Sequence, residues 1–340
     1  MSRHISLLVP GLLAGGGMAA FDGDPVMSAG DVGALEWLLT LAECQQLAET
    51  DTPALVWQQA GQTGPVPAAA LSYIHDFGEL PRSPVLRADP VYLEADRDCV
   101  RMLSAEVADL ELDQARQLIA EINAQFSDEP WRLVPGTAQR WYLLLDKDAA
   151  IVTQAPESVL GANIHDYMPV GEGQRYWRSI INEIQMLMFS SPVNQRRQEE
   201  GRIPASSLWL WGEGDAPSLL SLPWAALYSS APVVAGLGLQ GGLPVAKAPL
   251  TAQKLLDMAP PTGHILCQPV LPGAQSDLVA FNHDWVLPLY KALQCGMFGS
   301  RSKRQLDSVE LLPANGVSYR LSPGKWQWWR QRRRIDSFLE

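Results

Sequence analysis

The sequence predicts an α/β chain, with a mostly parallel sheet, helices on both faces and an α+β insert at 85–150. Three observations predict it. Short apolar runs at 5–9 and 264–268 have the length and composition of buried central strands. Such runs alternate with helical periodicity in both terminal parts, the pattern of a parallel sheet covered by helices. Between them, 86–145 reads as strand, helix and hairpin, which is a compact α+β segment and not a βαβ repeat.

Taken in order, 5–9 is the first strand, followed by a glycine turn at Gly15-Gly16-Gly17. Pro10-Gly11 breaks the apolar opening, so a buried strand is expected there and not a secretory signal, and the expected location is the cytoplasm. The segment 31–47 reads as a helix with Leu35, Leu38, Leu39, Ala42 and Leu47 on one face and Asp31 as its N-cap. A loop or short element carries Trp57, and 71–84 mixes apolar and turn residues. The strand at 85–93 is expected to be interrupted at Pro90, as an edge strand or strand end. Leu112, Ala115, Leu118, Ile119, Ile122 and Phe126 give 104–126 the clearest helical spacing. The runs 131–134 and 141–145 flank Pro135-Gly136 as a hairpin.

Further on, 177–189 is a helix ending before Pro192, 208–211 a strand turned by Gly212-Glu213-Gly214, and 231–239 a short apolar strand. Then 250–258 reads as helix, 264–268 as strand, and 281–293 as a helix interrupted by Pro288. The runs 309–312 and 317–321 pair around 313–316 as a hairpin. The expected organisation is a first part of the core at 1–84, the insert or cap at 85–150, the remainder of the core at 151–300, and a C-terminal hairpin with a basic aromatic tail at 301–340.

Composition narrows the function. With 340 residues, 47% hydrophobic and 19% charged, the chain can build a full core, which excludes wholesale disorder. No run approaches the roughly 18 apolar residues that span a bilayer, so no membrane partner is expected. Cys44, Cys99, Cys267 and Cys295 show no Cys-x-x-Cys spacing, which excludes a zinc ribbon and leaves reduced, mostly buried thiols. A net charge of −11 argues against a nucleic-acid sleeve, yet 301–340 carries +5 and the rest therefore −16.

Within that basic end, Lys325, Trp326, Trp328, Trp329, Arg330, Arg332, Arg333 and Arg334 interleave three aromatics with five cations. Aromatic faces stack on unpaired bases and arginines engage phosphates. Instead the tryptophans could dock on the core while the arginines stay solvated, or the segment could form a protein-contact hot spot. Catalytic patterns are sparse. His75-Asp76, His165-Asp166 and His283-Asp284 are sequence neighbours, which rarely orient one another as a catalytic pair. There is no Gly-x-Ser-x-Gly elbow and no phosphate-binding Gly-x-x-x-x-Gly-Lys loop. Gly236-Leu237-Gly238-Leu239-Gln240-Gly241 matches Gly-x-Gly-x-x-Gly, but Pro244 follows where a nucleotide-binding helix should begin, so it reads as a loop.

The most distinctive stretch holds Asn182, Glu183 and Gln185 on an apolar helix, then Trp209 and Trp211 on one face of a strand, then the Gly212 and Gly214 turn. Packing accounts for the tryptophans and glycines; Glu183 and Gln185, if buried, must be hydrogen-bonded. The Trp-Leu-Trp-Gly-Glu-Gly run at 209–214, followed by the apolar 231–235, resembles a signature of archaeal-type cofactor-independent phosphoglycerate mutases, which are alkaline-phosphatase-like. The whole chain more closely resembles the bacterial RpfE-type regulatory proteins. That resemblance is carried by Leu-Leu-Val-Pro-Gly-Leu-Leu at 7–13, Leu-Arg-Ala-Asp-Pro-Val at 86–91, Arg140-Trp141-Tyr142-Leu143, Asn-Glu-Ile-Gln-Met-Leu at 182–187 and Trp-Leu-Trp-Gly.

The mutase resemblance implies two divalent metals held by aspartates and histidines around a serine or threonine nucleophile. This sequence departs from that pattern. Its first strand runs into Val9-Pro10-Gly11-Leu12-Leu13, and its later ligand run reads Cys267-Gln268-Pro269-Val270-Leu271-Pro272. Leucine and proline side chains ligate no metal, so no cofactor, no metal and no catalytic residue is expected: a pseudoenzyme. The RpfE-type resemblance implies a gene neighbourhood with the single-strand exonuclease RecJ, hence a regulatory protein–protein interaction with RecJ in DNA repair. A metal-dependent phosphomutase or phosphohydrolase, and a single-stranded DNA-binding module using the tail, remain open alternatives.

Overall fold

The computed structural model describes residues 2–13, 32–96, 99–215, 217, 220–270, 277–294, 305–322 and 331–338. The chain forms two compact units, one of Met1–Gly64 with Leu219–Glu340 and one of Pro65–Ser218. The first begins with β1 (Arg3–Leu8), α1 (Gly33–Leu41), β2 (Glu43–Gln46) and α2 (Thr52–Gln59). The second holds α3 (Ala68–Phe77), β3 (Val85–Asp96), β4 (Cys99–Ser104), α4 (Leu112–Gln125), β5 (Trp131–Pro135), β6 (Trp141–Leu145), α5 (Gln174–Ser190), α6 (Pro192–Glu199) and β7 (Ser207–Trp211). The chain returns to the first unit with β8 (Ala226–Tyr228), α7 (Pro232–Gln240), β9 (Val245–Ala246), α8 (Ala252–Met258), β10 (Gly263–Cys267), α9 (Asp277–Phe281), α10 (Leu287–Gln294), β11 (Ser308–Leu312) and β12 (Val317–Leu321). No helix among the described residues is long and apolar enough to cross a membrane.

The first unit is the expected α/β body. Its seven-stranded sheet has the order β2-β12-β11-β1-β10-β8-β9. β11, β1, β10, β8 and β9 run parallel, and β12 runs antiparallel to both its neighbours. Period-two alternation sends Ile5, Leu7, Ile265, Cys267, Val309 and Leu311 to one face, where they form a core with Leu35, Leu38, Leu255, Val286 and Leu289. α7 packs on the other face, its Gly238 against Leu227.

Three sequence expectations change here. The apolar 231–239 is helix α7 and not a strand. Pro232 opens it at a position that needs no N–H, and its residues are apolar almost all round because the helix is buried. The Gly-x-Gly-x-x-Gly match therefore lies on a helix and not in a loop. A Cβ at Gly238 would stand 2.7 Å from Val245 Cγ2, so close packing selects that glycine. The helix expected over 31–47 ends at Leu41: Ala42 turns extended, and β2 pairs with β12. Asp31, the expected cap, lies outside the described residues. Pro288 does not interrupt its helix, because a π-helical turn at Asn282–Val286 precedes it and absorbs the missing bond.

The second unit is α+β. It takes in the expected insert at 85–150 and extends on both sides, with α3 before it and α5, α6 and β7 after it. β3 is its spine, and its neighbours come in succession: β6 pairs with 85–87, β7 with 87–91 and β4 with 92–96. The strand passes through Pro90 without a break. The N–H of Ser206 donates to Val91 O on the β7 side. By alternation the nitrogen of Pro90 faces the opposite edge, in the gap where β6 has ended and β4 has not begun. The clearest predicted helix starts at Leu112, with a capping box between Glu111 and Gln114, because 99–104 is already β4. Leu118, Ile122, Ile180, Ile181, Ile184, Leu133 and Leu143 share one core.

Asn194 fixes how the chain enters β7. It is fully buried on α6; its amide nitrogen donates to Met188 O (2.7 Å) and Ala205 O (2.7 Å), and its oxygen accepts from Ala205 N (3.0 Å). Alanine there would strand the N–H and C=O of Ala205 and leave Met188 O with the Ser191 N–H as its remaining donor. Asn194→Ala is expected to lower the unfolding free energy by about 2–4 kcal/mol in urea denaturation, and a loss below about 0.5 kcal/mol would contradict the clamp.

Candidate functional site

In an α/β sheet the ligand site forms at the carboxyl ends of the parallel strands. Here β1 runs into Val9-Pro10, β8 into Ser229-Ser230, β10 into Gln268-Pro269 and β11 into Pro313. These ends are tied to each other: Val9 N–H donates to Leu312 O (2.9 Å), Gln268 N–H to Tyr228 O (2.7 Å), and Ser229 Oγ to Gln268 Oε1 (2.6 Å). The donor set is amide, hydroxyl and main chain. Burial pushes the Cys267 thiol well above its ordinary range, so it offers no thiolate. Among the described residues no three His, Cys, Asp or Glu side chains are grouped so as to hold a metal ion. The two hard cations implied by the mutase resemblance do not fit these donors. Asp22, Asp24 and the side chain of Asp277 lie outside the described residues.

On a face of the same sheet, Ser6, His264 and Glu310 form a chain that periodicity alone does not disclose. Ser6 Oγ donates to Glu310 Oε2 (2.6 Å) and meets His264 Nε2 at 2.8 Å. The single hydroxyl proton goes to the carboxylate, so His264 donates from Nε2. Burial, with the charges of His4 and Arg320, lowers its pKa to about 4. The only sequence signal is cross-strand register, which aligns Ser6 with Glu310 and His4 with His264 and becomes visible once pairing is known.

In the second unit the separated motifs meet. Arg87 and Asp89, two residues apart on β3, form a buried bidentate pair at 3.0 and 2.7 Å. Trp211 Nε1 donates to Asp89 Oδ2 (2.7 Å), and Trp141 N–H reaches Oδ1 at 3.4 Å. Burial pushes the Asp89 carboxyl up; Arg87 and the Trp211 hydrogen bond oppose it. The guanidinium of Arg87 lies 4.9 Å from the Trp211 ring and 5.7 Å from the Tyr142 ring. Tyr142 Oη donates to Asp76 (2.7 Å), which Arg140 grips at 2.9 and 2.7 Å. His75-Asp76 is thus not a catalytic pair, since the carboxylate is spent on Arg140 and Tyr142. His165 and Asp166 sit in an exposed 3-10 turn, and His283 and Asp284 bond to each other at 2.8 Å on the surface.

Of the predicted signature, Trp209 is buried, with Nε1 donating to Gln154 O (2.8 Å). Gly212 (φ 79°) and Gly214 (φ 118°) need the left-handed region, and a Cβ at Gly212 would lie 2.9 Å from Ala69 N. Glu213 accepts from the N–H of Thr153 (3.0 Å) and from its hydroxyl. On α5, Ile180, Ile181, Ile184 and Met188 face inward. Asn182 and Glu183 are exposed and Gln185 half-buried, lining or bordering a groove with Met186 and Phe189.

Lys325, Trp326, Trp328, Trp329 and Arg330 lie outside the described residues. Arg332 is engaged within its unit: Nε donates to Glu36 Oε2 (2.6 Å) on α1. Arg333 lies over Phe338, 4.5 Å from the ring centroid, and its N–H donates to Thr40 Oγ1 (2.9 Å). Arg334 is exposed, 3.8 Å from Asp336. Arg332 and Arg333 thus make contacts within their unit where the docking expectation has solvated arginines, and the tryptophans of that expectation lie outside the described residues.

No protein-family model matches the chain. In sequence it is similar to curated cofactor-independent phosphoglycerate mutases. It is 28% identical over 195 residues, 56% of this chain and 48% of the relative, to the "Probable 2,3-bisphosphoglycerate-independent phosphoglycerate mutase" of Geobacter sulfurreducens. It is 32% identical over 143 residues, 39% of this chain and 35% of the relative, to the 2,3-bisphosphoglycerate-independent phosphoglycerate mutase of Methanosarcina barkeri. The matches thus span half or less of these relatives' length. The PH0037 protein of Pyrococcus horikoshii has the same fold, with a TM-score of 0.56 at 12% identity over 98% of this chain and 90% of that one. The chain is an α/β protein distantly similar to the alkaline-phosphatase-like phosphoglycerate mutases.

The lowered pKa of His264 carries a sign. Between pH 6.5 and about 4 the unfolded histidine binds a proton that the folded one refuses, so stability falls as pH drops through that window. The difference in unfolding free energy between the wild type and His264→Gln should therefore change between pH 7 and pH 4. A pH-independent difference would show that His264 is protonated normally in the fold.

Proposed function

We propose that this chain is a non-catalytic accessory protein that uses a phosphoglycerate-mutase-like scaffold to hold a partner in the cytoplasm, and that the partner is the single-strand exonuclease RecJ. The observation that carries the first part is the chemistry of the strand ends. Phosphoryl transfer on this scaffold needs carboxylates and imidazoles converging on two cations, and Pro10, Gln268, Pro269 and Pro313 supply neither. The RecJ partnership is supported by the motifs shared with RpfE-type regulators, several of which converge on Asp89 and Asp76. The similarity to mutases favours a second reading, a metal-dependent phosphomutase or phosphohydrolase. The tail favours a third, contact with single-stranded DNA through 320–334, where Arg334 stays exposed.

Two measurements separate these readings. Calorimetric titration of the full chain with manganese or zinc should give no stoichiometric binding at micromolar concentration, and co-purification with RecJ should give a complex. Tight metal binding, with phosphate-ester turnover lost on chelation, would replace the accessory reading by the enzymatic one. Absence of the RecJ complex, with salt-sensitive affinity for single-stranded DNA, would favour the tail reading.

A further inference from the structure

We propose that the groove between β3 and α5 in the second unit is a peptide-docking site that takes an extended segment of a partner protein as an added β-strand, with apolar side chains at alternate positions and lysine or arginine beside them. The groove holds about 790 Å³ and is lined by Tyr92, Ala95, Gln185, Met186, Phe189 and Ser206, among others. The proposal is independent of the RecJ reading, and its test uses no nuclease.

Leu93 N–H donates to Ser206 Oγ (2.6 Å), so its main chain faces away from β4. Consistently, Met102, opposite Leu93 on β4, gives its carbonyl to Gly161 N and not to β3. In an antiparallel ladder the direction alternates, so Glu94 bonds to β4 while Ala95, two residues on, turns its N–H and C=O toward the groove. No strand pairs with β3 there among the described residues. β7 begins only at Ser207, opposite Val91, and the Asn194 clamp holds Ala205, just before it, so the strand does not extend back along β3 to Ala95. An open edge of this kind is a template for a further strand.

The side chains fit the same occupant. Met186 and Phe189, one helical turn apart on α5, are 65% and 78% exposed, among the most exposed large apolar residues of the described chain. Together they offer a flexible thioether and a ring to side chains alternating along a strand. The half-buried amide of Gln185 adds a donor and an acceptor for peptide main chain. No lining residue is charged, whereas the neighbouring Glu94, Asp96 and Glu183 are exposed. Arg101, opposite Glu94 on β4, engages Asp96 at 3.6 Å, so among the described residues here three carboxylates stand with one guanidinium and the rim is net negative. That complementarity selects a segment with flanking cations.

The test selects a phage-displayed library of random 12-residue peptides on the full chain, then measures the enriched sequences as labelled synthetic peptides by fluorescence anisotropy. Enriched peptides should alternate apolar residues between Lys or Arg. Met186→Asp and Phe189→Asp should weaken them at least tenfold; both sites are exposed, so the fold should be retained. Ala95→Pro removes only the groove-facing N–H, not a β4 ladder bond, and should also weaken binding at least tenfold. N-methylation of the peptide's central amides tests the same bonds from the ligand's side without altering the chain. Enrichment no better than on the Met186→Asp/Phe189→Asp double variant would overturn the site. Peptides that bind equally well when N-methylated would overturn the added strand.

Discussion

A carboxylate taken out of water must be met by donors wherever it lies, and Asp89 imposes that condition on the second unit. Its donors come from three strands: the guanidinium of Arg87 on β3, the indole of Trp211 on β7 and the main chain of Trp141 on β6. Satisfying one buried charge therefore fixes the mutual register of the sheet's centre. The consequences spread outward. Arg87, held by Asp89, lies against the rings of Trp211 and Tyr142; Tyr142 turns its hydroxyl to Asp76 on α3, and Arg140 completes that pair. Two glycines keep the approach open: a Cβ at Gly136 would stand 2.5 Å from Asp76 Oδ2, and one at Gly212 would meet α3 itself. Such a pair contributes specificity of register more than net stability.

This explains which parts of the molecule are legible in the sequence. Strands with β-branched or leucine-rich runs, the hairpins around Pro135-Gly136 and 313–316, and the presence, though not the ends, of the helices with a clear apolar stripe are read correctly, because local pattern and tertiary environment agree there. Reading fails where the environment overrides the pattern. The apolar 231–239 looks like a strand because a buried helix and a buried strand share a composition. Pro90 looks like a break because the gap between β6 and β4 is a property of the sheet and not of the strand. The motif residues are visible as unusual residues, but their roles are not: Arg87, Asp89, Asp76 and Trp211 are separated by up to 135 positions and converge only through β-pairing. Asn194 stands out in the sequence only as part of a distinctive stretch, without its clamp role, and the Ser6–His264–Glu310 chain leaves no local signal at all.

The two units invest their polar residues differently. In the α/β unit, hydroxyl, amide and proline stand at the strand ends where the mutase resemblance implies cation ligands, while its histidine, serine and glutamate are linked across β10, β1 and β11. Arg332 is bound to Glu36 in the same unit, so part of the basic C-terminal segment serves packing. In the α+β unit the buried charges of Arg87, Asp89 and Asp76 are paired internally, and a β3 edge lies beside two exposed apolar side chains.

Crystals of the full chain soaked in manganese and measured at wavelengths where the metal scatters anomalously address this most directly. The account predicts no ordered anomalous peak at the carboxyl ends of β1, β8, β10 and β11. A pair of strong peaks about 4 Å apart at those strand ends, held by acids from the segments that follow them, would contradict it.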